Sequence, residues 1–268
     1  MKYIKKHSVV PAAMVIILFL ISGCAAVGPD YVAPDLDSTQ AWNTELENGL
    51  TSTPADPQTL ARWWSTLDDP LLSDIISMAA RNNLDLKEAR ARVLEARARA
   101  GIASAGKFPG MDAIGSAARS GSGLGAESNF YSAGFDAGWE LDMFGGIRRE
   151  TEAAEADFES VRENLHDVMV SLLAEVAVNY IDIRIIQSRL SIAEANIMAQ
   201  EETYQLTQDR YAAGLSTELA VMQARYNLEN TRSQVPLLES ELESSLNRLA
   251  VLMGLSPGTI HKKLAEPR

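Results

Sequence analysis

Apolar residues return about every 3.5 positions along one stretch of the chain, the spacing of a coiled-coil seam. They are Leu165, Met169, Leu172, Val176, Tyr180, Ile183, Ile186, Leu190, Ala193, Ile197 and Tyr204. No proline or glycine falls between Gly146 and Ala213, so nothing there breaks a helix. The pattern predicts one helix of about 67 residues, roughly 100 Å long, well beyond the helices of ordinary globular domains. A return helix from Thr217 to Met253 repeats the period at Leu228, Val235, Leu238, Leu242, Leu246, Leu249 and Leu252. Gly214 supplies the reversal between the two, which a residue with a Cβ would resist. Ser216 or Thr217 is placed to cap the return helix, with Glu218 near the positive end of its dipole.

Upstream, Asp69-Pro70 marks a helix start, and Leu72, Ile75, Ile76 and Ala79 form its apolar stripe. A second helix is expected from Asp85 to Ala105, where Leu86, Ala89, Val93, Ala96 and Ala100 lie on one side. End to end with the return helix, it is long enough to cover most of the seam that the return helix leaves open. After Pro109-Gly110 the period changes to two. Tyr131, Ala133, Phe135, Ala137, Trp139 and Leu141 alternate with Ser132, Gly134, Asp136, Gly138, Glu140 and Asp142. This is a strand with one apolar face and one acidic or small face. Residues 111–119 are its candidate hairpin partner, although alternation there is weak, with Asp112, Ser116 and Arg119 out of phase. A glycine- and serine-rich loop lies between them. The fold class expected is mainly α with a short β-hairpin.

The alternation suits either a soluble sheet or an outer-membrane barrel. The N-terminus favours the barrel. Lys2, Lys5 and Lys6 precede an apolar run from Val9 to Ile21 that is too short to span a bilayer comfortably. The only cysteine, Cys24, follows Leu20-Ile-Ser-Gly23, which resembles a bacterial lipoprotein signal with cleavage and lipidation at Cys24. Ala25 in the next position favours, by the same resemblance, export to the outer membrane. On the barrel reading Tyr131, Phe135 and Trp139 face lipid while Asp136 and Glu140 face the water of the lumen. The expected segments are a signal at 1–23, a lipidated extended linker at 24–62 and short helices at 63–106. A membrane hairpin at 107–143, a long helical hairpin at 144–254 and a tail at 255–268 follow.

Composition removes other functions. A net charge of -12 argues against nucleic acid, so the arginines of 85–105 read as a solvated face with pairs such as Glu95 to Arg99. A single cysteine and scattered His7, His166 and His261 offer no disulfide framework and no local metal spacing. Gly121 to Gly125 lacks the lysine and the strand-to-helix frame of a phosphate loop, and no nucleophile frame is present. The chain is therefore read as a non-enzyme with no catalytic residue, cofactor or metal. Its alternative role would be a structural lipoprotein, a coiled-coil spacer without a channel, which leaves the alternating strand unexplained.

Several segments carry a family likeness. Ala26-Val-Gly-Pro-Asp-Tyr-Val-Ala-Pro34, Trp63-Trp64, Asp69-Pro70-Leu71, Trp139-Glu-Leu-Asp-Met-Phe-Gly-Gly-Ile-Arg-Arg149 and Arg210-Tyr-Ala-Ala-Gly-Leu215 occur in this order. The chain resembles the TolC-like outer-membrane factors of tripartite efflux systems, in their NodT-like lipoprotein branch. The resemblance implies a trimeric passive duct, with strands sharing one barrel in outer-membrane lipid and helices forming a periplasmic tunnel. It implies an inner-membrane RND-type pump and a periplasmic adaptor that docks on a tip at Ala213, Gly214, Leu215 and Ser216. The likeness covers the family's first half only, so no gate residue carries over. Two strands per chain in a trimer are too few for a barrel. The expectation is a truncated duct that forms no trimeric pore alone; a hexamer, or pairing with a separate second-half chain, are the alternatives.

Acylation of Cys24 is testable directly. The intact mass of the mature protein should exceed that of residues 24–268 by several acyl chains, and a chain still starting at Met1 would refute it.

Overall fold

The computed structural model describes residues 27–32, 34, 56–121, 125 and 127–265. Cys24 and the signal at 1–23 lie outside the described residues. The elements in order are α1 (Pro57–Leu60), a 3-10 turn (Trp63–Leu67), α2 (Pro70–Asn82) and α3 (Leu84–Ala105). They continue with β1 (Gly110–Gly121), β2 (Glu127–Gly138), α4 (Gly146–Ala212), α5 (Glu218–Leu252) and α6 (His261–Leu264). The fold is mainly α with one antiparallel hairpin. The chain divides into two compact units, 1–40 with 91–163 and 41–90 with 164–268, and α3 and α4 contribute to both. Among the described residues no helix is long and apolar enough to cross a membrane.

The helical unit is built on the seam. Leu172, Val176, Tyr180 and Ile183 of α4 are buried with Leu246, Leu249 and Ala250 of α5. Further along, Ile186 and Ala193 pack on Leu238. The third side of the core is α2, whose Leu72, Ile75, Ile76 and Ala79 share one helical face. Asp69 starts α2 by accepting from the amides of Leu71 (2.8 Å) and Leu72 (3.3 Å), with Pro70 in the first turn. α4 is 67 residues long and ends at Ala212; the chain then reverses at Gly214, where φ is 72° and the Leu215 amide reaches back to the Arg210 carbonyl at 2.7 Å. Thr217, rather than Ser216, caps α5 by accepting from the Ala220 amide at 3.3 Å. α5 passes through Pro236, which withdraws one helical amide on its exposed side without ending the helix.

Two segments depart from the sequence-based boundaries. The linker expected at 24–62 contains α1, capped by Asp56 through the Thr59 amide at 3.1 Å. The tail expected at 255–268 is packed structure: Ile260 and Leu264 are buried in the same core as α2. Its polar ties are Gln187 Nε2 to the Leu264 carbonyl (2.6 Å), His261 to Glu243 (2.8 Å) and a Lys263–Asp74 ion pair. A four-residue helix has too few internal bonds to hold itself, so these contacts account for its order.

The joint between α2, α3 and the end of α5 rests on Asn83, which is 3 % exposed. Its amide closes α2 on the Ala79 carbonyl (2.9 Å), and its Oδ1 accepts from Leu86 N–H (2.9 Å) to start α3. Its Nδ2 donates to the Leu252 carbonyl at 3.0 Å, at the end of α5. Gly254, at φ 69°, lies so close that a Cβ there would sit 2.4 Å from the Asn82 carbonyl oxygen. The start of α3 thus abuts the end of α5, as the length argument required.

In the other unit β1 and β2 pair from Gly110↔Gly138 to Gly121↔Glu127. β2 ends at Gly138, so Trp139, Glu140 and Leu141 lie beyond the strand that their alternation suggested. Asp142 is also not a strand residue. It caps α4, accepting from the Arg148 amide at 2.9 Å. Burial acts to raise its pKa, but the amides of Arg148, Ile147 and Gly145 outweigh this and hold it below the usual carboxylate value. Residues 139–145 must turn to bring that carboxylate onto the open amides of the α4 N-terminus. Thr151 is buried where α4 meets the end of α3.

Asn83→Ala removes both the cap of α3 and the tie to α5, leaving buried groups unpaired. It should cost about 1–3 kcal/mol, read as a lowered thermal midpoint in detergent. Asn83→Asp should restore little, since it keeps the acceptor but loses the donor to Leu252.

Candidate functional site

The register of the hairpin sorts its side chains into two faces. On one, Met111, Ala113, Gly115 and Ala117 lie opposite Ala137, Phe135, Ala133 and Tyr131. This apolar band spans six residue steps, roughly 20 Å at the usual strand rise. Outer-membrane barrels carry an apolar band about 25 Å tall. It gives way toward the loop to Asn129 and an Arg119–Glu127 ion pair. On the other face Asp112 stands opposite Asp136, Ser116 opposite Ser132 and Ser120 opposite Ser128. The serine hydroxyls meet at 2.7 and 3.1 Å. Ile114, Ala118 and Phe130 are the apolar exceptions on this face.

Two carboxylates directly opposed across a ladder repel one another unless water screens them. The Asp112–Asp136 pair makes this the polar face of the hairpin, the one suited to water. The outer edges of both strands also carry unpaired backbone groups, because the two strands are the whole sheet among the described residues. Lipid tolerates such edges only when other strands pair with them.

The structure keeps Tyr131 and Phe135 on one face and Asp136 on the other, as expected. It moves Trp139 and Glu140 out of the strand. The Trp139 indole N–H instead donates to the Lys107 carbonyl at 3.3 Å, just before β1. Asp112 and Ser116 are in phase with the polar residues of β2. The sequence pattern sets Asp112 and Ser116 out of phase because β1 is mostly Ala, Gly and Ser, which give little hydrophobic contrast from one residue to the next.

At the far end of the helical unit, Ala213, Gly214 and Leu215 are exposed and Ser216 is half-buried. Leu215 is 71 % exposed, and Tyr211, Leu219, Met222 and Tyr226 nearby are exposed too. Sequence reading named only the turn. Leu219, Met222 and Tyr226 fall off the seam period of the return helix, which is the signal the sequence offers.

Residues 75–255 match the family described as Outer membrane efflux protein. The chain belongs to that family. Nodulation protein T of Rhizobium leguminosarum bv. trifolii is 29% identical over 252 residues, covering 92% of this chain and 52% of its own length. Cation efflux system protein CusC of Escherichia coli O157:H7 is 31% identical over 236 residues, covering 87% and 51%. Among solved structures, the outer-membrane channel OprN superposes with a TM-score of 0.73 at 34% identity, over 90% of this chain and 54% of that one. The chain thus spans about half the length of the curated relatives it matches. That family is one of channels rather than of known enzymes, and its members are placed in the outer membrane and extend into the periplasm.

The two faces are separable by labelling. Single cysteines at Asp112 and Asp136 in intact outer membranes should react with a charged maleimide about tenfold faster than cysteines at Tyr131 and Phe135, if lipid covers the second pair. Equal rates at all four would count against a membrane hairpin.

Proposed function

We propose that the chain contributes a membrane hairpin and a periplasmic helical hairpin to a passive outer-membrane export duct. The observation that carries this is the two-faced hairpin, with its opposed Asp112 and Asp136 on one side and the Phe135–Tyr131 band on the other. On this reading Tyr131 and Phe135 contact lipid and Asp136 lines water. Trp139 and Glu140 lie beyond the strand and mark its inner rim. Copies of the chain, or further strands, close the barrel, because the open edges require it. A passive duct needs no catalytic residue, cofactor or resident metal.

The energy comes from a partner. An inner-membrane pump of the RND type, reached through a periplasmic adaptor, drives the solute, and Cys24 carries the lipid anchor. The adaptor docks on Ala213, Gly214, Leu215 and Ser216, with exposed Leu219 and Tyr226 extending the surface. Relatives are named for cation efflux and for pyoverdine export, so the exported class ranges from metal cations to small organic compounds. A coiled-coil spacer would have no use for the hairpin.

A photo-crosslinker at Leu215 should capture the adaptor, whereas one at Arg92 should not. Leu215→Asp should lower export several-fold with the protein still in the outer membrane, since a charge at the centre of an apolar contact typically costs 2 kcal/mol or more, about thirtyfold in affinity. Capture from both positions, or full export by Leu215→Asp, would refute the assignment of the tip.

A further inference from the structure

The N-terminal segment is held by one arginine. Arg149, in the first turn of α4, donates from Nε to the Val27 carbonyl at 2.8 Å. Its Nη2 donates to the Gly28 carbonyl (3.1 Å) and to Asp30 Oδ1 (2.7 Å), and its Nη1 pairs with Glu152. Glu152 in turn accepts from the Tyr31 amide at 2.7 Å. The Val27 amide donates to the Phe144 carbonyl at 3.0 Å. Gly28 makes this convergence possible: its φ of 80° turns the chain so that successive carbonyls meet one guanidinium. The planar fork of arginine fits such a set of acceptors, and a lysine does not. The pairs reinforce one another: Asp30 and then Glu152 push the Arg149 pKa up, while the Tyr31 amide and then Arg149 pull that of Glu152 down.

Burial does not explain why this segment is held. Val27, Tyr31 and Val32 are all more than half exposed. The segment is held by directional hydrogen bonds, which set position rather than add core. What they fix is Val27, the point at which the upstream chain joins. Cys24 precedes Val27 by three residues, a reach of about 10 Å at full extension. The Val27 amide is fastened to Phe144, and in the same short stretch of chain Leu141, Met143 and Phe144 are apolar side chains left 59–69 % exposed. They follow shortly after the end of β2 at Gly138.

We propose that Arg149 and Glu152 form a clasp that delivers the acyl chains of Cys24 to the apolar collar of Leu141, Met143 and Phe144 at the base of the hairpin. The occupant of the collar is the lipid carried by this chain. The clasp couples anchoring to the hairpin: once the acyl chains are in the membrane, the inner end of β2 is held within reach of the same leaflet. The proposal rests on Cys24 being acylated.

The test uses the full chain in outer membranes of cells fed a diazirine-bearing fatty acid. Photolysis should place the acyl group on the peptide containing Leu141 to Phe144. Arg149→Lys and Arg149→Ala should cut that capture at least about fivefold and speed amide exchange at Val27 and Tyr31 at least about tenfold. Glu152→Gln should speed exchange chiefly at Tyr31, and Arg162→Ala should change neither reading. Wild-type protection across Val176–Ile183 identifies variants that remain folded. A chain with no acyl mass sinks the lipidation reading and the proposal with it. An acylated chain whose capture survives Arg149→Lys and Arg149→Ala unchanged, or falls evenly along the sequence in the wild type, sinks the clasp alone.

Discussion

A helix of 67 residues has no interior of its own, so its apolar stripe must be covered from outside. Coverage of the α4 stripe governs the helical unit. α5 folds back along it from Gly214, α2 lies across Val176 to Ile183, and Ile260 and Leu264 close the same core from the C-terminal side. Each fully buried leucine or isoleucine in that seam contributes about 1.5–3 kcal/mol relative to exposure. The turn at Gly214 and the cap at Thr217 set the register in which those side chains meet.

Where helices stop, single polar side chains carry the connection. Asp69, Asn83, Asp142 and Thr217 each satisfy amides that a helix start leaves open. Asn83 and Asp69 also reach outside their own helices, to the Leu252 carbonyl and the Tyr180 hydroxyl respectively. Tyr180 in turn accepts from Arg184 Nε at 3.2 Å, and Arg184 bonds Gln187, which holds the Leu264 carbonyl. A polar line thus runs from the start of α2 to α6 along one side of α4. Such a network specifies one arrangement of helices where apolar packing alone would allow several.

The hairpin obeys a different solvent. Its residues are exposed on both faces, and one face is an apolar band that water would disfavour. The other face carries the opposed aspartates and two facing serine pairs, a surface suited to water. Such a sheet, with two open edges among the described residues, suits a barrel wall that has lipid on one side and water on the other. Family membership and the physical reading of the hairpin reach the same conclusion from separate observations.

The sequence by itself determined the elements whose signal is periodic. The seam from Leu165 to Tyr204, the reversal at Gly214, the Asp69-Pro70 start and the alternation through Tyr131 and Phe135 were legible because period and turn chemistry are local properties. Tertiary structure decided what depends on a distant partner. The alternation runs on through Trp139 and Glu140, but the strand stops at Gly138, opposite Gly110 where β1 begins, and Asp142 turns to the open amides of α4. Asp112 gained its meaning only when the register set it opposite Asp136. Arg149 reads like any surface arginine until Gly28 turns two carbonyls toward it from more than a hundred residues away, a convergence that no local pattern encodes.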